Sequence, residues 1–272
     1  MEPSTRSALR PHRQPFGHRL AATRLREPDN SEVDDELGKR FRYDTSRVLC
    51  PHDPFCPPPA QVAVSLLPPS SFSHIFQLEA LMKSIALFHS VLGVRAGIED
   101  AAARLREAGH IVTLVDQYDG KSFDDYESAG AYAASIGFPE LMRRALESVA
   151  MLPDGFAVVG FSNGGGMATH IAVNRRISRA VLCSGALPLK QIGADRWPAN
   201  VPAQLHYTAD DPFKVAGSVE SVMRSVNDAG ATAEYFQYPG SGHLFTDPEL
   251  VSEFDPTAME QLWNHVTRFL QR

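Results

Sequence analysis

The 272-residue chain is short of several things, and each shortage excludes a class of protein. It has three cysteines, Cys50, Cys56 and Cys183. An odd number without regular spacing is no framework for a disulfide-stapled fold. No apolar run approaches the roughly 20 residues that a bilayer-spanning helix needs. The formal net charge is only −6, with 21% charged residues. No field of one sign therefore marks the chain for nucleic acid or an anionic membrane, and neither is expected as a partner. Arg6, Arg10, Arg13 and Arg19 open the chain, but the apolar core of a secretory signal does not follow them, so the expected compartment is the cytoplasm.

Proline is unevenly spread. Eleven of the 20 prolines fall in residues 1–81. Pro51, Pro54, Pro57, Pro58, Pro59, Pro68 and Pro69 crowd together there. This part shows no sustained helix or strand period, and its ten basic residues are matched by ten acidic ones. It cannot bury enough apolar surface to offset its ordering entropy, and is read as an unfolded extension. Met82 is read as the biological start of a folded domain over 82–272. Cys50, His52 and Cys56 lack a fourth ligand at metal-site spacing, and no metal is expected.

From Met82 onward the pattern changes. Strand-like runs at Lys83–His89, Ile111–Val115, Arg179–Cys183, Val201–Tyr207 and Ala233–Tyr238 alternate with helical periods at Gly97–Gly109, Phe138–Met151, Ser218–Ala229 and Thr257–Leu270. Asp116–Gly137 reads as a polar segment with aromatics on the ligand side of the sheet. Alternation of this kind predicts an α/β fold, a doubly wound, mostly parallel sheet with helices on both faces.

Chemistry concentrates at Phe156–Met167, where an apolar strand runs into Gly160-Phe161-Ser162-Asn163-Gly164 and then into a helix. Gly-x-Ser-x-Gly between strand and helix is the pattern of a nucleophile elbow. A serine on so sharp a turn is crowded by any side chain two residues away on either side, and Gly160 and Gly164 remove those side chains. The turn lifts the Ser162 hydroxyl clear of the sheet and aims the Asn163 amide, at a helix N-terminus, where an oxyanion forms.

A serine hydroxyl needs a base in reach and a third group to orient that base. Two later strand ends offer them. Asp210-Asp211-Pro212-Phe213 follows the strand at 201–207, and Gly240-Ser241-Gly242-His243 follows the strand at 233–238. The order serine, acid, histidine fits an α/β site, with Asp210 and Asp211 both eligible as the acid. His89 and His206, near strand ends, and His170, on the elbow helix, read as structural. Cys183 reads as a buried, inert thiol. Ser90 and Ser184 also follow strands but lack the elbow.

Four blocks together resemble the dienelactone hydrolase family of α/β-hydrolases: Leu87-Phe88-His89-Ser90-Val91-Leu92-Gly93, Gly160–Gly165, His206–Phe213 and Tyr238–Phe245. The resemblance runs from about Met82 to the C-terminus. It implies an α/β-hydrolase fold, Asp211 as the acid through the family's Asp-x-Phe pattern, and the amides of Val91 and Asn163 as the oxyanion donors. Many members carry cysteine at the elbow and a glutamate after the first strand; Ser162 and Ser90 stand at those places. Lactone-cleaving members hold a substrate carboxylate with an arginine just after the histidine. The corresponding residues, Leu244-Phe245-Thr246-Asp247, include no base, and Asp247 is expected to repel a carboxylate.

The expectation is a serine hydrolase with Ser162, Asp211 and His243 as its triad. It would cleave an ester, lactone or thioester of a small molecule without metal or organic cofactor, as a monomer or homodimer. The rival expectations are a non-catalytic binding protein on the same fold, and an acyltransferase or peptidase.

Overall fold

The computed structural model describes residues 84–272. The readings made for residues 1–81, namely the extension, the basic start and the Cys50–His52–Cys56 group, lie outside the described residues, as does Met82.

The chain order is β1 (Ser84–Phe88), α1 (Ala96–Glu107), β2 (Ile111–Val115), α2 (Tyr126–Ile136), α3 (Phe138–Ser148), β3 (Phe156–Phe161), α4 (Asn163–Asn174), β4 (Ile177–Cys183), a short 3-10 turn (Leu189–Ile192), β5 (Ala203–Thr208), α5 (Ser218–Asp228), β6 (Ala233–Tyr238) and α6 (Pro256–Gln271). The six strands among the described residues form one sheet in the order β2-β1-β3-β4-β5-β6, and every pairing between them is parallel.

Burial follows strand position. β3 is central and buried at every residue, which is why Phe156-Ala157-Val158-Val159 reads as an unbroken apolar run rather than an alternating one. The edge strands β2 and β6 alone among the strands carry exposed residues, Ile111 and Gln237. Side chains alternate between two apolar clusters, one per face of the sheet. On one face Ile85, Leu87, Val159 and Val181 pack with Ile98 and Leu105 of α1 and with Leu262 and Val266 of α6. On the other, Phe88, Val158, Leu182 and Leu205 pack with Leu141 of α3, Met167 and Ile171 of α4, and Val222 and Val226 of α5.

The strand order reverses its direction of growth between β1 and β3. The loops leaving their C-terminal ends diverge there and open a crevice at the switch point. The elbow follows β3, and the loop carrying Val91 follows β1, so both border this crevice.

The segment 116–137 differs from expectation. Its second half is the helix α2, capped by the Asp125 side chain, which accepts from the Ser128 amide at 2.7 Å. Gly130, Ala131, Ala133, Ala134 and Ser135 give this helix little apolar contrast, so its period is faint in the sequence. α2 places Ala129 in one apolar cluster and packs Tyr132 and Ala133 against the other.

Candidate active site

Ser162 sits between β3 and α4 with φ 53° and ψ −117°, a backbone conformation that costs an L-residue about 1–3 kcal/mol. The neighbouring glycines make it possible. A Cβ on Gly160 would lie 2.0 Å from the Gly164 carbonyl oxygen, and one on Gly164 would lie 2.4 Å from that of Phe88. Gly185 has the same constraint from outside, since a Cβ there would lie 2.1 Å from the Ser162 carbonyl oxygen. The Ser162 amide donates to Cys183 O at 2.7 Å, tying the elbow to the end of β4.

The structure brings the three predicted side chains together. Ser162 Oγ lies 2.7 Å from His243 Nε2, and His243 Nδ1 lies 2.9 Å from both Asp211 carboxylate oxygens. Both the imidazole and the carboxylate are buried. Asp211 Oδ1 also accepts from the Phe213 amide at 2.8 Å, which sets the carboxylate's orientation. Asp210 is exposed, and its amide donates to Gly240 O at 3.0 Å. With the Asp211 carboxylate accepting at Nδ1, the imidazole carries its proton there and leaves Nε2 as the acceptor facing the serine hydroxyl.

Val91 and Asn163 border the same cavity as Ser162 and His243. Neither backbone N–H donates to a protein acceptor among the described residues. The Val91 loop is held by His89: its Nδ1–H donates to Ser90 O at 2.6 Å, and its Nε2 accepts from the Gln117 amide at 3.0 Å. Burial pushes the His89 pKa down, so the ring stays neutral and keeps both roles. Ser90 turns its hydroxyl to the Leu92 amide at 3.1 Å and does not border the cavity.

His206, His170 and Cys183, also singled out in the sequence, lie outside the cavity lining. His206 is fully buried and pushed down to about 3, chiefly by desolvation and then by His265. It stacks on Phe236 and meets the Tyr238 hydroxyl at 2.9 Å. His170 takes the Asn174 side-chain amide within α4. Burial raises the Cys183 thiol pKa, and the sulfur is packed in the core. Among the described residues no group of three His, Cys, Asp or Glu is arranged to hold a metal ion, and no helix is long and apolar enough to cross a membrane.

One expectation is corrected. Asp247 does not line the cavity. The chain turns after Leu244, with the Asp247 amide donating to Leu244 O at 2.9 Å. This turn carries Asp247 beneath α1, where its Oδ2 accepts from Arg95 Nε at 2.9 Å. Gly97 leaves room for it, since a Cβ there would lie 2.7 Å from Asp247 Cα. Arg95 is also paired with Asp124 and Glu249, at 2.6 and 3.2 Å. Closeness to His243 along the chain does not say which way a side chain turns.

The cavity itself, about 300 Å³, is walled by Tyr126, Phe138, Leu187, Phe213 and Val215, and among the described residues no Lys, Arg, Asp or Glu lines it. Four residues not singled out in the sequence as part of the site help to build it. Tyr126 and Phe213 flank the imidazole, with ring centroids 6.0 and 4.7 Å from that of His243. The Ser184 hydroxyl donates to His243 O at 2.8 Å, and the Thr208 hydroxyl to Gly242 O at 2.9 Å. For Ser184 and Thr208 the signal in the sequence is position alone: Ser184 directly follows β4, and Thr208 ends β5.

Residues 76–272 match the model of the dienelactone hydrolase family. Among solved structures, a dienelactone hydrolase-like promiscuous phosphotriesterase from metagenomic libraries is similar at 22% identity and TM-score 0.60, over 69% of this chain and 84% of that one. A dienelactone hydrolase from Anabaena variabilis is similar at 17% identity and TM-score 0.51, over 69% and 84%. An α/β hydrolase from a deep-sea metagenome library gives 14% identity and TM-score 0.53, over 73% and 86%. These likenesses establish the α/β-hydrolase fold. Among curated proteins, none matches this sequence significantly.

Proposed function

Because the chain belongs to the dienelactone hydrolase family, we propose that it is a serine hydrolase cleaving carboxylic esters, lactones or thioesters of uncharged small molecules. The observation that carries this reading is the unbroken line Ser162 Oγ–His243 Nε2 at 2.7 Å and His243 Nδ1–Asp211 at 2.9 Å. Ser162 Oγ attacks the carbonyl carbon while its proton passes to His243 Nε2. The negative charge on the carbonyl oxygen is met by the Val91 and Asn163 amides, a contribution of about 3 kcal/mol per donor. The C–O or C–S bond then breaks, and the leaving group takes the proton from Nε2. Water attacks the acyl-enzyme with His243 again as base, which releases the acid and restores the Ser162 hydroxyl. Asp211 holds the imidazole in the working tautomer and stabilises its cation.

The cavity supports the substrate class. Its walls are aromatic and aliphatic, and among the described residues its lining holds no cation to recognise a carboxylate. Burying an unpaired carboxylate there is costly, whereas a neutral acyl chain gains from apolar burial. The test is turnover of p-nitrophenyl butanoate. The native chain hydrolyses it and Ser162→Ala does not; equal turnover by the two refutes the reading.

A further inference from the structure

The loop that carries His243 is held at three consecutive residues. Thr208 and Ser184, at the ends of β5 and β4, take the carbonyls of Gly242 and His243, at 2.9 and 2.8 Å. The third hold is different in kind. Leu244 N–H donates to Glu253 Oε2 at 2.7 Å, and the same carboxylate accepts from the Tyr126 hydroxyl, which lies 2.9 and 3.0 Å from its two oxygens. Tyr126 opens α2 and walls the cavity. Its ring lies 4.9 Å from that of Phe213, which in turn lies 4.7 Å from the imidazole.

We propose that Glu253 is a positioning residue that couples the substrate-binding wall to the general base, by fixing Tyr126 and the His243 loop with one carboxylate. It touches neither substrate nor reacting atoms. The proposal rests on the reading of His243 as the base. Its backbone is suited to the task. The Glu253 carbonyl packs so closely on Gly242 that a Cβ there would lie 2.2 Å away, and the Glu253 amide donates to Leu250 O at 2.8 Å. Burial and the carboxylate both push the Tyr126 pKa upward, so its hydroxyl remains a donor throughout the working pH range. A charge-assisted pair of this type is stronger and more directional than a neutral hydrogen bond. A substrate seated on Tyr126 is thereby registered against the base through a single carboxylate.

The expected behaviour separates coupling from mere support. Glu253→Ala frees both partners, and a small displacement of a base is expensive in rate: kcat falls about tenfold and KM rises about threefold. Glu253→Gln keeps an acceptor for Leu244 N–H and a donor for the Tyr126 oxygen, so it restores kcat to within about threefold of the native value. Tyr126→Phe keeps the ring and the Leu244 bond, and raises KM about threefold with kcat within about twofold. In the Glu253→Ala background, Tyr126→Phe adds nothing further to KM, because residues sharing one partner are non-additive.

The experiment measures kcat and KM for p-nitrophenyl butanoate across these four variants, each normalised to its fluorophosphonate-titrated active fraction. Native kcat and KM in Glu253→Ala overturn the coupling. So does a Glu253→Gln variant as impaired as Glu253→Ala, or a full threefold effect of Tyr126→Phe on top of Glu253→Ala. Ser162→Ala is run alongside. If it remains active, the hydrolase reading itself has failed; if it is inactive while Glu253→Ala is unimpaired, only the coupling has.

Discussion

The Ser184 hydroxyl donates a 2.8 Å hydrogen bond to the backbone carbonyl of His243. Ser184 has φ 50° and its amide donates to His206 O at 2.7 Å, so the hydroxyl is fixed from the strand end rather than from a mobile side chain. Ser184→Ala removes this hold and leaves a buried carbonyl short of a donor, at about 1–2 kcal/mol. The expected result is a fall in kcat of about three- to tenfold with KM little changed, read by steady-state kinetics on a p-nitrophenyl ester.

The elbow glycines bear on stability as well as on the Ser162 turn. In Gly160→Ala the new methyl carbon would fall 2.0 Å from the Gly164 carbonyl oxygen, which is backbone and has no room to swing aside. The expected cost is about 4 kcal/mol, in the upper tail of single substitutions. Scanning calorimetry then reads a drop in Tm of about 10 °C.

The uncharged cavity lining predicts selectivity by charge. The native chain should hydrolyse p-nitrophenyl valerate at least about tenfold faster, by kcat/KM, than the similarly sized p-nitrophenyl hemisuccinate, since an unpaired buried carboxylate costs more than 1.4 kcal/mol. Val215, 65% exposed at the cavity wall, is a place where a cation fits. Val215→Arg should narrow or reverse the ratio through the anionic substrate's kcat/KM.

Buried His206 predicts acid sensitivity. Burial holds its folded pKa down at about 3, below the ordinary histidine value of 6.5. The unfolded chain therefore binds a proton that the folded chain refuses as pH falls through 6.5, and stability is lost progressively from there down toward 3. The contribution is fully present above 6.5. Between pH 6 and 4 the slope from this one group is about 1.4 kcal/mol per pH unit. Urea unfolding across that range should show His206→Gln with a shallower slope than the native chain by about that amount.

Much of this was readable from residues alone. The unbroken apolar run of β3 between glycine-bearing turns announces a central buried strand. Gly160 and Gly164 around Ser162 announce the turn, because only a hydrogen atom fits where those two side chains would be. His243 and the pair Asp210-Asp211 are legible as strand-end residues in the right chain order, and the family resemblance selects Asp211 of the two. What was not legible depends on direction in space. Asp247 lies four residues from His243, yet a single turn points it at Arg95 under α1. Glu253 reaches the site through loop geometry for which no local pattern exists. The helix α2 is built largely from alanine and other small residues, so its amphipathic period is faint, and its start is marked only by the Asp125 cap.

The central claim is that the hydroxyl of Ser162, activated by His243, forms a covalent intermediate. Intact-mass spectrometry of the native chain after brief exposure to a fluorophosphonate, followed by peptide mapping, tests it most directly. The account predicts a single adduct on Ser162, absent in Ser162→Ala and slowed by about a thousandfold or more in His243→Ala. An unlabelled native chain, or an adduct that persists in Ser162→Ala, would contradict it.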